Sequence, residues 1–527
     1  MKESDDLVLI QDFCERYGLH ALDNLLEYEF VKTQVMLLPY TFVKNHAVLP
    51  LEEKNGKIVI AMANPMQLDT LEEIRCILNK EVIEILCSVQ ALEDAIEKCY
   101  QNKEGNISQI IASIENVNSS FPQDLDAEGY DLLDDKSDSA VIKILNSIFK
   151  EAILQGASDI HFEPLEFGLG LRYRIDGVLQ ARTSPPREFQ SQLITRIKVM
   201  SCLDIAEQRL PQDGRIKLRM GGRHVDFRVS TVPCVYGERM VLRILDKSNI
   251  MVGLDKIGMR KTIYENFEKL INLSEGIVLV TGPTGSGKTT TLYSALSHIN
   301  SSEVNVMTIE DPVEYKLQGM AQIGVNHKIA LSFATGLRHI LRQDPDVIMI
   351  GEIRDKETAE IAIQASLTGH LVLSTLHTND SPSALTRLID MGIEPYLLTS
   401  SVVGVLAQRL VRTICNNCKE AYTPTDAELL DMKMSVHDLP EKVLYKGVGC
   451  PACFGSGFKG RHAIYELMTM NTPLKQQLLQ SADAYQLQQI ALKSGLTTLR
   501  QEGAILVKQG LTTVKEVIRA TRGCDED

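Results

Sequence analysis

The chain reads as a multi-domain α/β protein, and three observations carry that reading. Its 527 residues exceed the roughly 250–300 at which a single hydrophobic core stops growing. Beyond about residue 256, short apolar runs alternate with helix-patterned segments, as in a parallel sheet with crossover helices. One apolar run passes into one helix through a glycine-rich turn of a kind that cradles phosphates.

Composition narrows the class. Hydrophobic residues are 44% and charged residues 24% of the chain, an ordinary globular balance. No apolar run approaches 18 residues, and Met1-Lys2-Glu3-Ser4-Asp5-Asp6 is acidic. The expectation is therefore no transmembrane helix and no secretory signal, hence a cytoplasmic protein that reaches a membrane only through partners. A net charge of −14 argues against a broad nucleic-acid surface, which needs clustered Lys and Arg. Of the eleven cysteines, seven are scattered singly and are expected to be buried small hydrophobes.

Four segments are expected in order. Residues 1–100 mix helical patterns with runs such as Lys57-Ile58-Val59-Ile60-Ala61-Met62 and read as a small α/β domain. Residues 101–138, rich in Asn, Ser, Gln and Asp, read as a linker. A second, α+β domain spans 139–255, with a helical stripe (Val141, Ile144, Leu145, Ile148, Phe149, Ile153) and strands near 159–162, 169–174 and 224–229. The P-loop domain takes 256–527, including a tetracysteine segment at 413–465 and helices at 470–527.

The turn is Gly282-Pro283-Thr284-Gly285-Ser286-Gly287-Lys288-Thr289, matching G-x-x-x-x-G-K-[ST] at every fixed position. At average composition these four fixed positions coincide by chance in about 2% of chains this long. The strand-like Gly276–Val280 before it and the helix-prone Thr290–Leu296 after it reduce that further. Glycines let backbone amides turn inward around phosphate oxygens, and the helix N-terminus adds positive potential. Lys288 is the ligand of the β- and γ-phosphates of ATP, and the Thr289 hydroxyl the ligand of Mg²⁺.

Hydrolysis also needs a positioned water and cations for the spreading charge. A strand at Val304–Ile309 leads to Glu310-Asp311-Pro312-Val313-Glu314, placing three carboxylates near its C-terminal edge. Another, Val347–Ile350, ends in Gly351-Glu352. Glycine stands where many P-loop enzymes carry the Mg²⁺-associated aspartate, so Glu352 is the candidate that readies water. Glu314 or Asp311 is the candidate for the missing contact around Mg²⁺. The strand-like Gly369–Thr378 carries His370 and His377 near its ends, and His377 is the candidate sensor of the γ-phosphate.

Cys415-Asn416-Asn417-Cys418 and Cys450-Pro451-Ala452-Cys453 make two C-x₂-C turns. Four thiolates satisfy tetrahedral Zn²⁺ and leave no open position, so the metal is expected to be structural. The glycines at 447, 449, 455, 457 and 460 suit the tight turns required.

Taken together, the P-loop, Thr308–Glu314, Leu341–Asp346, Gly351–Asp355 and Gly369–His377 resemble the secretion ATPase family, the GspE-like motors of type II secretion and their type IV pilus relatives. The match is close from about 139 onward and weak before that. The resemblance implies a RecA-like ATPase domain, a PAS-like α+β domain before it and an N-terminal adaptor domain. It also implies a homohexamer with ATP between domains of adjacent positions in the ring. Within it, Arg228 and Arg243 of the second domain correspond to arginines donated to the phosphates, and Arg338 and Arg342 to residues lining the pocket. The partners implied are an inner-membrane platform and a membrane-anchored adaptor gripped by residues 1–100. Some relatives bind a cyclic dinucleotide there; no clear repeat of the glycine- and leucine-containing motif is found, and none is expected. Retraction motors typically lack the tetracysteine segment, so the resemblance narrows to the secretion and pilus-extension branches.

The leading expectation is a motor of type II secretion that drives pseudopilus assembly, with a type IV pilus extension motor as nearest rival. A DNA-translocating ATPase is disfavoured by the acidic balance and the zinc segment. A non-hydrolysing scaffold is disfavoured by the intact Lys288 and Glu352.

Overall fold

The computed structural model describes residues 140–522 except 221–222, 247–252, 440–441 and 482, together with 20–21, 130–131 and parts of 38–96. Two compact units result, Met1–Ser248 and Asn249–Asp527.

In the first unit, β1 (His20–Ala21), β2 (Val48–Lys54), β3 (Lys57–Met62) and β4 (Val82–Leu86) form one sheet in the order β1-β4-β3-β2. The expected strand at 57–62 is β3, and five of its six residues are buried because it lies inside the sheet. After the helix α1 (Leu68–Leu78), β4 joins β3 in parallel. The core includes Leu49, Ile58, Ile60, Leu71 and Ile74.

A second sheet holds β5 (Tyr130–Asp131), β6 (Ala157–Leu165), β7 (Gly168–Ile175), β8 (Val178–Arg182), β9 (Gln212–Met220), β10 (Arg223–Cys234) and β11 (Gly237–Asp246). Their order is β5-β9-β10-β11-β6-β7-β8, antiparallel apart from β5. Part of the expected linker is thus the short strand β5; most of it lies outside the described residues. The helical stripe becomes α2 (Ala140–Leu154), which with α3 (Gln190–Met200) covers one face of the sheet. Alternation decides the faces: Ile160, Phe162, Tyr173, Phe227 and Leu242 point to the helices, whereas the Asp159, His161 and Glu163 series takes the other side. Phe149 of α2 meets Phe227 with ring centroids 5.0 Å apart. Truncating such a side chain costs about 3–5 kcal/mol.

In the second unit α4 (Lys261–Ile271) precedes a seven-stranded sheet ordered β14-β13-β15-β16-β12-β17-β20. These strands are β12 (Gly276–Thr281), β13 (Val306–Glu310), β14 (Ala321–Gly324), β15 (Val347–Ile350), β16 (Leu371–Leu376), β17 (Val402–Ile414) and β20 (Phe458–Thr469). All neighbours run parallel except β17 and β20. Parallel strands need crossover helices, supplied by α5 (Lys288–Ile299), α6 (Phe333–Ile340) and α7 (Lys356–Leu367). Both faces are therefore covered. Ile277, Leu279, Ile348 and Ile350 enter one core, and Val278, Val280, Val347 and Met349 the other. This explains why these strands are uninterrupted apolar runs.

Helices α8 (Pro382–Asp390) and α9 (Pro395–Ser401) follow β16. Between β17 and β20 lie the hairpin β18 (Lys419–Tyr422) and β19 (Leu444–Gly447) and the helix α10 (Asp426–Asp431). The expected C-terminal helices are α11 (Thr472–Gln480), α12 (Ala484–Lys493), α13 (Leu499–Lys508) and α14 (Val514–Thr521). Among the described residues no helix is long and apolar enough to cross a membrane.

One expectation is corrected. Of the single cysteines, Cys87 is buried, but Cys202 and Cys234 are exposed. Cys202 follows α3 at positive φ, and Cys234 closes β10 beside the turn into β11. Apolar character alone did not place them inside because both sit at turns.

Candidate functional site

The parallel strands bring their C-terminal ends to one edge of the sheet, where loops after β12, β13, β15 and β16 meet. The loop after β12 is Gly282–Gly287. Gly282 (φ +150°) and Gly287 (φ +90°) have no room for a side chain: a Cβ would stand 2.5 Å from the Gln408 carbonyl oxygen and 2.8 Å from Gln408 Nε2, respectively. The tightness of the turn thus comes from β17, which carries Gln408 against the loop.

Lys288 opens α5 and is 8% exposed. Its Nζ donates to the carbonyl oxygens of Gly282 (2.7 Å) and Pro283 (3.2 Å). Burial pushes its pKa down to about 8, while the Glu352 charge acts to raise it and Arg409 to lower it. Lys288 and Glu352, distant in sequence, therefore share one electrostatic site. Among the described residues Ser286 Oγ is buried without a hydrogen-bond partner, an orphan acceptor and donor inside the turn. Pro283, Thr284, Gly285 and Thr289 are exposed. A cradle that excludes side chains, a buried ammonium, an orphan hydroxyl and a helix N-terminus fit a polyphosphate.

Glu352 follows β15, with its side chain 16% exposed. Burial pushes its carboxyl up, but the hydrogen bond and charge of Arg354, and His377 beside it, outweigh this and hold it below the usual range. Arg354 Nη2 pairs with Glu352 Oε1, and His377 Nε2 lies 3.2 Å from Oε2. His377, the expected γ-phosphate sensor just after β16, is thus in contact with Glu352. Gly351 is packed: a Cβ would meet the Glu310 Cα and the Ile309 carbonyl oxygen at 3.4 Å.

The three carboxylates after β13 separate. Glu310 is 3% exposed and accepts from Thr308 Oγ1 (2.6 Å), Gln322 Nε2 (3.1 Å) and the Tyr293 hydroxyl. It stands at the end of β13 as the spacing suggested, and both its oxygens are engaged, so it ties that strand to α5 and β14. Asp311 lies 3.7 Å from His327 Nε2 and adds to the field on Arg354. Glu314 is half-buried, its N–H 3.4 Å from the Tyr293 hydroxyl oxygen. Arg338 and Arg342 sit at the end of α6. Arg338 donates to Glu357 (2.7 Å) and Arg342 lies 2.8 Å from His339 Nδ1; no hydrogen bond to Lys288 or Glu352 joins them to the cradle among the described residues. In the first unit, Arg228 and Arg243 stand directly opposite one another on β10 and β11.

Sequence reasoning missed Gln408 and Arg409. Gln408 accepts from Thr291 of α5 (2.8 Å). Arg409, 5% exposed, donates to Asn379 O (2.9 Å) and to Ala520 O (3.1 Å), linking the segment after β16 to α14. The available signal was two adjacent polar residues inside the otherwise apolar Val402–Leu410.

The four cysteines converge. Their sulfurs all lie within 4.8 Å of one another, with Cys415–Cys450 and Cys418–Cys453 at 3.8 Å and Cys450–Cys453 at 3.7 Å. Tetrahedral Zn²⁺ with bonds of about 2.3 Å separates its sulfurs by about 3.8 Å, so the cluster fits that ion. The N–H groups of Cys450 (3.2 Å) and Gly457 (3.3 Å) donate to Cys453 Sγ, as second contacts to a metal thiolate do. Gly449 and Gly457, both at positive φ, let the backbone on the two sides of the Cys450–Cys453 turn close onto Gly455 and Gly447.

Comparison with known proteins agrees with this geometry. The family model described as type II/IV secretion system protein matches residues 134–519, and the MshEN domain model matches 24–106. The chain is 44% identical over 495 residues to the type II secretion system ATPase E of Vibrio cholerae, covering 93% of this chain and 98% of that one. It is 40% identical over 518 residues to the type IV pilus assembly ATPase PilB of Myxococcus xanthus, covering 97% and 91%. The X-ray structure of the Yersinia pseudotuberculosis ATPase DotB superposes with TM-score 0.54 at 21% identity, over 72% of this chain and 93% of that one, which supports the fold. With a nucleotide cradle, a facing glutamate and a family match over most of its length, this chain belongs to the type II/IV secretion system protein family of P-loop ATPases.

Proposed function

We propose that the chain is the ATP-hydrolysing motor of a type II secretion machine, driving pseudopilus assembly through an inner-membrane platform. The observation that carries this reading is the glycine turn Gly282–Gly287 closed on the buried Lys288 Nζ, with Glu352 following β15 at the same edge of the sheet. Backbone amides of Gly282–Thr289 and Lys288 would hold the phosphates, and the Thr289 hydroxyl, with Glu314 or Asp311, would hold Mg²⁺. That ion, when bound, neutralises charge on the transferred phosphoryl group. Glu352, kept ionised by Arg354 and His377, accepts a proton from the attacking water. His377 reports on the γ-phosphate through the same carboxylate, and Arg338 and Arg342 line the pocket.

On this reading the chain works as a homohexamer, and Arg228 and Arg243 reach the phosphates as the 139–255 domain moves. That domain is PAS-like; the adjacency of its first and last long strands, β6 and β11, at the middle of the sheet supports this. Zn²⁺ at the four cysteines braces β17 and β20. Residues 1–100 grip a membrane-anchored adaptor, which the MshEN match at 24–106 supports, and so hold a cytoplasmic protein against the inner membrane. No nucleic acid takes part.

A type IV pilus extension motor is the second reading, supported by the 40% identity to PilB across 97% of the chain. Deletion of the gene separates them. Blocked export of exoproteins with surface pili intact upholds the first; loss of pili and twitching with export intact upholds the second.

A further inference from the structure

The polar face of the second sheet carries a row of charges that crosses five strands. Register places Arg215 of β9 opposite Arg228 of β10, Arg228 opposite Arg243 of β11, Arg243 opposite Asp159 of β6, and Asp159 opposite Arg174 of β7. Four guanidiniums thus stand in line with a single carboxylate. Like charges directly across an antiparallel pair repel, so Arg228 alone would turn Arg243 away from itself.

Asp159 opposes that. It is 6% exposed, and its Oδ1 accepts from Arg243 Nε at 3.0 Å. Its Oδ2 is held by Ser158 Oγ at 2.8 Å, with Arg174 Nε at 3.6 Å. The carboxylate is therefore fixed on both oxygens and buried, whereas the Arg243 side chain is 57% exposed. Among the described residues Arg243 has no hydrogen-bond partner but Asp159, and only its Nε is used. Both terminal nitrogens remain available for bidentate contact with an anion. An ion pair with a partner this exposed adds little to stability. What it supplies is a direction.

We propose that Asp159 is a positioning residue that holds Arg243 by Nε in register with Arg228, so that the two guanidiniums present themselves as a pair to the nucleotide phosphates. This rests on the reading above that Arg243 serves the phosphates. It adds a residue on a third strand that acts only through Arg243.

The test is steady-state ATP hydrolysis by the purified full chain in four forms: native, Asp159→Asn, Arg243→Ala and the double variant. Asn keeps the oxygen and removes the charge. Misplacing a group that meets the phosphates in the transition state lowers kcat on the order of 10- to 100-fold. Asp159→Asn is expected to show such a drop with KM little changed and native thermal melting, and to cause no further loss in the Arg243→Ala background. An unchanged kcat in Asp159→Asn overturns the proposal, as does an equal drop in both backgrounds, which marks a purely structural role. If Arg243→Ala itself hydrolyses ATP like the native chain, the reading beneath falls and this inference with it. Should Asp159→Asn fail to fold, Asp159→Glu, which keeps the charge but displaces the guanidinium by a methylene, is judged by the same outcomes.

Discussion

Lys288 Nζ lies 2.7 Å from the carbonyl oxygen of Gly282, at the opposite end of its own loop. The lysine and the glycine that begins the turn thus define one closed ring of backbone and side chain. Two consequences follow from the packing of that ring: the ammonium is desolvated, and Gln408 against the loop leaves no room for a Cβ at Gly282.

The first consequence predicts a proton uptake. Burial leaves Lys288 with a pKa of about 8, and phosphate charge brought beside it favours the ammonium. ATP affinity is then fully present below that pKa and weakens as pH rises through it. Calorimetry of ATP binding at about pH 9 in two buffers of different ionisation heat reads this directly. Heats that do not depend on the buffer contradict it.

Glu352 predicts an acid limb. Its carboxyl is held below the ordinary range because Arg354 and His377 together outweigh burial. Its charge is present above the unfolded value of 4.5 and is lost only as pH falls through the lower folded value. Arg354→Ala removes the larger of the two offsets to burial and leaves His377 alone, so the acid limb of the pH–rate profile moves to higher pH. An unmoved limb, measured as kcat against pH, rules out this coupling.

The tetrathiol cluster predicts one zinc per chain by atomic absorption. Cys418→Ser, or removal of the metal by a chelator, releases the knuckles that brace β17 and β20. Losing a structural metal contribution is expected to lower the melting temperature on the order of 5–10 °C. A metal-free protein that melts like the native one contradicts a structural ion.

Glu466 predicts a contrast between two substitutions. Its carboxylate is fully buried and accepts from Ser381 N (2.9 Å), Ser381 Oγ (2.6 Å) and Leu499 N (3.2 Å), tying the start of α8 to that of α13. Burial raises its pKa, so ionisation opposes folding as pH rises above 4.5. Glu466→Ala strands three donors and costs about 3 kcal/mol or more. Glu466→Gln keeps an acceptor without the charge, so its melting temperature at neutral pH stays near or above the native value. Equal losses in both variants would show that packing, not hydrogen bonding, holds this point.

Much of the site was legible because its chemistry is local. The P-loop turn, Glu352 after a buried strand and the C-x₂-C pairs each sit within a few residues of the element that positions them. What was illegible depends on tertiary neighbours. Gln408 and Arg409 matter because β17 lies beside β12, a pairing that no spacing along the chain announces. Glu310 is the strand-end acid that the spacing suggested, but Tyr293 and Gln322 reach it from other elements and bury it, which no spacing shows. Asp159 is one residue of an alternating strand until register sets it against Arg243. Fold class was similarly accessible through the apolar runs of β12, β15 and β16, whereas the exposed turns at Cys202 and Cys234 were not.

Phosphate release by the purified chain with Mg²⁺ and ATP, run beside Glu352→Gln, tests the central claim most directly. Turnover by the native chain is expected, with a fall on the order of 10²- to 10⁴-fold in the variant while ATP binding persists. Equal rates in the two proteins, whether measurable or negligible, would contradict a motor whose water is activated by Glu352.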